Sequence, residues 1–404
     1  MIDLLVVGGG YVGLSLGVAV KQSAPHLSVE ILEAAPAEVW KRDARASAVI
    51  AAATRMLDVL GVWKEIEPEA QPISRMVVTD SRTSDPVRPV FLTFDGEVAE
   101  GQPFAHMVPN GAMVAALRNA CDRLGIPIRH GAAASGFTTS PNHVDVTLAN
   151  GETVQTRLLV ACDGVRSKLR DMAGIKTVSW DYGQSGIVVT VAHERPHEGC
   201  AEEHFLPAGP FAILPLTGNR SSLVWTERTA DAERLIHADS LIFEEELERR
   251  FGHKLGSLSV VGDRKAFPLG LTLARDFIKP RFALAGDAAH GIHPISGQGL
   301  NLGFKDVAAL AETIVDADRL GLDIGALTVL ERYQTWRRFD TFRMGVTTDV
   351  LNRLFSNDVG PLRMLRDVGL GMVERMPKLK SYFIGEAAGI GAPHNPRLLE
   401  GQPV

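Results

Sequence analysis

A chain of 404 residues with 45% hydrophobic content is long enough for two or three domains and a large buried core. Its formal net charge of -6 argues against the basic face that general nucleic-acid binding requires. The three cysteines, Cys121, Cys162 and Cys200, form no CxxC pair and no metal-ligand spacing, which fits a reducing compartment and gives no metal site.

In chain order, Asp3 to Val7 read as a buried strand that runs straight into a glycine loop, with no basic leader before it. Helical spacing follows over Gly13 to Gln22, then a second strand over Ser28 to Leu32 ending at Glu33. Residues 43–61 read as a helix closing at Gly61, and a further helix spans about 110–124. Val144 to Leu148 and Thr156 to Val160 form a hairpin-like pair around the Asn150-Gly151 turn. β-rich stretches at about 73–106 and 180–230 alternate apolar and polar residues. Phe282 to Ala285 are a short buried strand, a long helix starts near Gly299, and the tail from 341 to 390 is helical with proline stops at Pro361 and Pro377. No run of about 18 apolar residues crosses a bilayer.

Three turns carry the chemistry. Gly8-Gly9-Gly10-Tyr11-Val12-Gly13 is a GxGxxG between strand and helix: Gly8 permits the tight turn, Gly10 admits a pyrophosphate to the backbone, and Gly13 lets the helix approach the sheet. Glu33 lies twenty residues beyond Gly13, where a carboxylate can accept hydrogen bonds from a ribose diol. This motif alone does not separate NAD from FAD. Asp163-Gly164, with Arg170 shortly after, and Gly286-Asp287 follow two other strands, and acid–glycine turns at strand carboxyl ends are where open α/β sheets bind ligands. Because the three turns are far apart in sequence yet suit one ligand, the β-rich stretches read as insertions. The expected organisation is a nucleotide-binding domain over 1–72, 107–179 and 265–340. A substrate domain takes 73–106 and 180–264, with a helical C-terminal region over 341–404.

Asp163-Gly164 with Arg170 resembles the DG motif of the class A flavoprotein monooxygenases, and Gly286-Asp287 with Pro294 resembles their GD motif. His293-Pro294-Ile295-Ser296-Gly297-Gln298-Gly299-Leu300-Asn301-Leu302-Gly303, with Asp306, resembles the signature of the ubiquinone-biosynthesis hydroxylases; Ser296 stands where that signature usually has alanine or glycine. Arg45 and the segment from Phe205 to Pro215 also fit the family. The resemblance implies an α/β (α+β overall) fold: a Rossmann-like FAD-binding domain, an inserted β-sheet substrate domain and a helical C-terminal region. It implies FAD held by Gly8, Gly10, Gly13, Glu33, Arg45, Asp163, Gly286 and Asp287, with Pro294, Gly299, Leu300 and Asn301 over the flavin ring. It further implies O2 as co-substrate, NADPH or NADH or an electron-transfer protein as transient donor, and ring hydroxylation through a flavin hydroperoxide.

His293, Pro294, Gly297 and Gln298 are the candidate catalytic residues: the glycines allow close backbone approach and the amides opening the next helix stabilise negative charge. His293 serves to orient the loop or lie beside the flavin, and the pair His290/His293 lacks a third metal ligand. Phe205, Phe211, Ile213, Pro215 and Trp225 are the candidate substrate wall for an aromatic ring with a prenyl tail; filling the core behind the sheet is the other reading of these residues. Residues 331–380 carry ten Lys/Arg against six Asp/Glu, interleaved with apolar residues. That pattern fits docking on an anionic membrane or a partner enzyme, and equally a helical cover with a solvated basic face. The expected protein is cytoplasmic, at most peripheral to the inner membrane. Its expected reaction is hydroxylation of a polyprenylated phenol or quinol. The rivals are a hydroxylase of a small soluble aromatic and a flavin-containing assembly factor.

Overall fold

The computed structural model describes residues 1–81, 90–95, 97–99, 101–293, 298–356, 385, 388–390 and 395–404. In its first sheet the central strands, Ile2–Val7 and the second half of Thr153–Ala161, read as continuous apolar runs, as strands covered on both faces do. Ile128–His130, Val29–Glu33, Ile2–Val7 and Thr153–Ala161 lie parallel in that order. Beyond Thr153–Ala161, the hairpin strand Val144–Leu148 pairs antiparallel with its first half, and Phe282–Leu284 runs parallel to its last residues. Leu4, Leu5, Val6, Leu158, Leu159, Val160 and Phe282 are fully buried in the largest apolar cluster.

The register fixes where the three turns go. Val7 is opposite Ala161, and Ala161 is opposite Leu284. The Gly8 amide bonds to the Leu32 carbonyl at 2.8 Å, and the Cys162 amide to the Val7 carbonyl at 2.7 Å. The glycine loop, Glu33, Asp163 and Gly286-Asp287 therefore emerge along one edge, at the carboxyl ends of adjacent strands.

The second large sheet orders Thr177–His193, Arg220–Arg228, Gly209–Leu216, Cys200–Leu206, Arg75–Asp80 and Val90–Asp95 side by side, with Leu258–Ala274 on the outer flank of Thr177–His193. The expected boundary between residues 264 and 265 falls inside the strand Leu258–Ala274, so that strand belongs to this sheet throughout. One face is covered by the helices Thr229–Ile236 and Ser240–Phe251, whose Ala232, Leu235, Phe243, Leu247 and Phe251 close an apolar cluster with the sheet. A small sheet, Ala46–Ile50, Ala105–Pro109 and Gln71–Ile73, joins the two large ones. The helix expected over 43–61 is thus a strand, Ala46–Ile50, followed by a shorter helix, Ala51–Val59. Its pairing with Ala105–Pro109, almost sixty residues on, overrides local preference.

The long helix Gln298–Arg319 is buried along most of its length. The next helix, Leu327–Phe355, runs uninterrupted across the expected boundary at residue 340. The proline stops Pro361 and Pro377 lie outside the described residues, and no helix among those described is long and apolar enough to cross a membrane.

Candidate active site

The helix Tyr11–Ser23 begins at Gly10 with no side-chain cap and no acid in its first turn, which leaves its free amides and dipole for an anion. A side chain at Gly8 would put its Cβ 2.2 Å from the Cys162 carbonyl oxygen, and one at Gly13 would meet the Gly8 carbonyl oxygen at 2.0 Å. Those two glycines are required by the backbone itself. At Gly10 a Cβ would meet nothing within 4 Å among the described residues, so the backbone there is open to a close approach from outside.

Glu33 arches over this loop: Oε2 accepts the Gly9 amide at 2.8 Å and Oε1 the Ala35 amide at 2.7 Å. On the neighbouring turn, Asp163 Oδ1 is buried without a hydrogen-bond partner among the described residues, an orphaned acceptor. Arg170 ties the DG and GD turns together, donating to the Val165 carbonyl and to the Ala288 carbonyl, both at 3.1 Å. Arg45 forms a two-pronged pair with Asp43, 2.8 Å for each bond, and its guanidinium lies 5.4 Å from the Phe267 ring centre. Asp287 stands open to solvent in this cleft. The surrounding protein mass raises its carboxyl pKa, against the opposing pull of His290 and Arg45. An extended dinucleotide fits this set of groups: free helix amides, the Glu33 carboxylate, an Asp163 oxygen without a partner among the described residues and a carboxylate beside a cation.

Behind the GD turn sits a buried ionic cluster that sequence reasoning missed. Asp306, fully buried, accepts from the Gly286 amide at 2.9 Å, His290 Nε2 at 2.5 Å and Arg337 Nε at 2.8 Å. Burial alone would raise its pKa, but His290 and Arg337 outweigh that and hold it below the usual carboxylate range. Arg337 also reaches Asp340 at 2.8 Å, and Tyr333 donates to the Leu284 carbonyl at 2.7 Å. His290 is thus a fully buried partner of Asp306. His293 is also fully buried, edge-on to Tyr182 at 5.3 Å. Neither of its ring nitrogens has a hydrogen-bond partner among the described residues, and burial pushes its pKa down to about 4. Among the described residues no group of three ligating side chains forms a metal site.

Of the signature loop, Pro294 and Gly297 lie outside the described residues. Gln298 and Gly299 open the helix Gln298–Arg319, while Leu300 packs into the main apolar cluster. Asn301 bonds to the backbone of the small sheet: its Nδ2 donates to the Ala48 carbonyl at 2.8 Å and its Oδ1 accepts the Ile50 amide at 3.1 Å. Its side chain clamps the small sheet against the helix.

The expected substrate wall requires correction. Phe211, Ile213 and Trp225 face the helices Thr229–Ile236 and Ser240–Phe251 and are buried there, and Pro215 shares their side of its strand because residues two apart point the same way. Trp225 Nε1 donates to Glu227 at 2.8 Å, with the Arg250 guanidinium 4.5 Å from its ring centre. These four residues fill the core behind the sheet. The opposite face looks toward the cofactor cleft: Ala201 and Leu214 meet Ala46, Ala48 and Met107 of the small sheet, and Phe267 meets Arg45. Phe205 is on this face but stacks on Phe355 at 4.1 Å. The half-buried residues here are Val188, Thr190, Leu214 and Val224; Val188 and Val224, with the free edge of Leu214, form an apolar floor. Their alternation with fully buried Ile187, Val189, Ile213 and Trp225 was visible in sequence; which set faces the cleft was not.

A nucleotide cleft at the strand edges of one sheet, facing the half-open apolar side of another, is the architecture of a flavoprotein that oxidises an organic substrate. The FAD-binding-domain family model matches residues 1–323. The chain is 44% identical over 409 residues to ubiquinone hydroxylase UbiL of Rhodospirillum rubrum, covering all of this chain and 93% of the relative. It is 33% identical over 392 residues to 3-demethoxyubiquinol 3-hydroxylase of Escherichia coli, covering 96% and 98%. The same fold occurs in p-nitrophenol 4-monooxygenase PnpA of Pseudomonas putida, with a TM-score of 0.79 at 18% identity over 98% of this chain and 99% of that one. The chain belongs to the ubiquinone-biosynthesis hydroxylase family of class A flavoprotein monooxygenases, and is an FAD-dependent monooxygenase.

Proposed function

We propose that this enzyme hydroxylates the aromatic ring of a polyprenylated phenol or quinol of ubiquinone biosynthesis, placing one atom of O2 on the ring. The observation that carries the reading is the convergence of the three turns on one strand edge opposite the apolar floor of Val188, Leu214 and Val224. When bound, FAD supplies the chemistry that activates O2, with electrons from NADPH, NADH or an electron-transfer protein. The chain's own residues bind and orient. The free amides after Gly10 meet the pyrophosphate, Glu33 the adenosine ribose, and Arg45, Asp163 and Asp287 the remainder. Gln298 and Gly299 bring helix amides toward the reacting centre, where they favour negative charge. Asn301 and Asp306 act through others, by holding the small sheet and the GD turn in place.

Metabolite profiling of a strain lacking the protein, complemented with wild type or Asp287→Ala, tests this. Accumulation of a prenylated phenol lacking one ring oxygen, cleared by wild type alone, is the expected result; unchanged quinone and precursors in the deletion strain would overturn it. Peripheral docking belongs to the same proposal. On the helix Leu327–Phe355, Phe339, Phe342, Val346 and Val350 are exposed, interspersed with Arg338 and Arg343, a composition suited to an anionic lipid surface. Co-sedimentation with anionic vesicles should fall on substituting Phe339 and Phe342 by Ser, with FAD retained; equal binding by both forms would remove the docking claim. The remainder of the basic segment, 357–380, lies outside the described residues.

A further inference from the structure

One buried acid has no structural employment. Glu203 lies on the cleft-facing side of the strand Cys200–Leu206 and is 3% exposed. It is opposite Val78 on one neighbouring strand and Ala212 on the other, with Val224 and Val188 next across the same row. Ala201, two residues before it, packs on the small sheet, and Phe205, two after it, packs on Phe355. Glu203 therefore stands between two sealed contacts, at the edge of the half-buried floor. It forms no hydrogen bond or ion pair among the described residues. Its sequence neighbour Glu202 points to the other face, bonded to Lys254, and Glu227 is held by Arg250 at 2.8 Å. A buried carboxylate with neither a counter-ion nor a donor weakens a fold, so its place is explained by a group that arrives with the substrate.

We propose that Glu203 is the general base that receives the proton of the substrate's phenolic hydroxyl. The inference rests on the phenol-hydroxylase reading above. In the step, the phenol O–H bond breaks and an O–H bond forms on the Glu203 carboxylate. The electron pair left on the phenol oxygen spreads into the ring and enriches its ortho and para carbons, which accept the incoming oxygen atom. The hydroxylated ring carbon then loses its hydrogen as a proton to water, the proton on Glu203 returns to the first oxygen, and the carboxylate is restored.

The environment suits that task. Burial is the sole cause raising the Glu203 pKa, to about 7, where a general base is half-ionised at neutral pH. His293, at about 4, is a much weaker base. Among the described residues, the titratable groups that bear on Glu203 are few. Asp80 is on the same face of the adjoining strand, Gly209–Leu216 contributes none, and Lys265 lies at the far end of the row, opposite Val188. Asp349 and Arg353, on the helix that carries Phe355, are paired with each other at 3.0 Å.

The test uses the full-length, FAD-loaded enzyme without reductant, a short-chain 2-alkylphenol as probe and its methyl ether as control. Wild type should bind the phenol with an ultraviolet phenolate band that appears at lower pH than for the free phenol. Glu203→Gln should bind both ligands, show no such band, melt no lower than wild type, and turn over at least about 100-fold more slowly with KM little changed. Glu203→Asp should recover part of the band. A Glu203→Gln enzyme with the wild-type band and turnover overturns the assignment to Glu203 alone. A wild-type enzyme that neither binds nor hydroxylates the phenol overturns the substrate reading and the inference with it.

Discussion

Asp306→Asn keeps the side chain's size and removes its charge from the cluster behind the GD turn. Asp306 is fully buried and accepts three hydrogen bonds, from Gly286, His290 and Arg337. An asparagine has one acceptor oxygen, and its amide would present hydrogens to at least one of these donors. Removing one partner of a buried ion pair costs about 3–5 kcal/mol. Because Arg337 keeps Asp340 at 2.8 Å, the lower end applies, about 3 kcal/mol. For a chain of this size that is a fall of about 3–4 °C in Tm, from an unfolding entropy of about 2 cal/mol/K per residue. The Gly286 bond also sets the turn that presents Asp287, so FAD should be lost more readily, by about tenfold for each 1.4 kcal/mol of misplacement. Thermal melts and FAD content after gel filtration measure both effects. Asp323→Asn, where the acid of the pair with Arg281 is itself exposed, is the control and should move the melt less. A variant melting with wild type and retaining its flavin would refute the claim that this cluster holds the cofactor turn.

Three other outcomes are expected. Gly10→Ala should fold normally, since its Cβ meets no atom of the described residues, yet bind FAD poorly; Gly13→Ala, whose Cβ would lie 2.0 Å from the Gly8 carbonyl oxygen, should lose stability as well, and equal melts for the two would contradict the geometry. Trp225→Ala should cost about 3–5 kcal/mol of stability with substrate preference unchanged, whereas Val224→Phe should alter the preference for substrate bulk; denaturation curves and relative kcat/KM across alkylphenols of increasing size separate the two faces. Glu203, raised from 4.5 to about 7 in the folded state, binds its proton more tightly folded than unfolded. Stability should therefore fall as pH rises from about 4.5 through about 7, by about 3 kcal/mol in the absence of substrate. Urea unfolding at the two ends of that window should show the decline in wild type and not in Glu203→Gln, and parallel behaviour would count against a desolvated carboxyl.

The parts of the site that were legible in sequence are those whose chemistry is local. GxGxxG, Glu33 twenty residues later and the two acid–glycine turns each follow a strand readable from its apolar run, and parallel register then brings them together. What was hidden depends on distant chain. Strand alternation separates Trp225 from Val224, but only the placement of Thr229–Ile236 and Ser240–Phe251 decides which of them faces solvent-filled space. The strand Ala46–Ile50 is too short and too rich in alanine to distinguish from a helix start without its partner Ala105–Pro109. Arg337 reads in sequence as one more basic residue of a solvated or docking face, yet it is turned inward, toward an aspartate thirty-one residues away on another helix.

The helix Leu327–Phe355 acts as a strut. Near its beginning Tyr333 and Arg337 grip the strand end and acid behind the cofactor turn; at its far end Phe355 leans on Phe205 of the sheet that carries Glu203. Eighteen residues of helix separate Arg337 from Phe355, about 27 Å at 1.5 Å per residue. The spacing between the oxidising centre and the surface that presents the ring is thereby gauged by a single rod, so the two halves keep their distance even though the chain joining them is broken into several crossings.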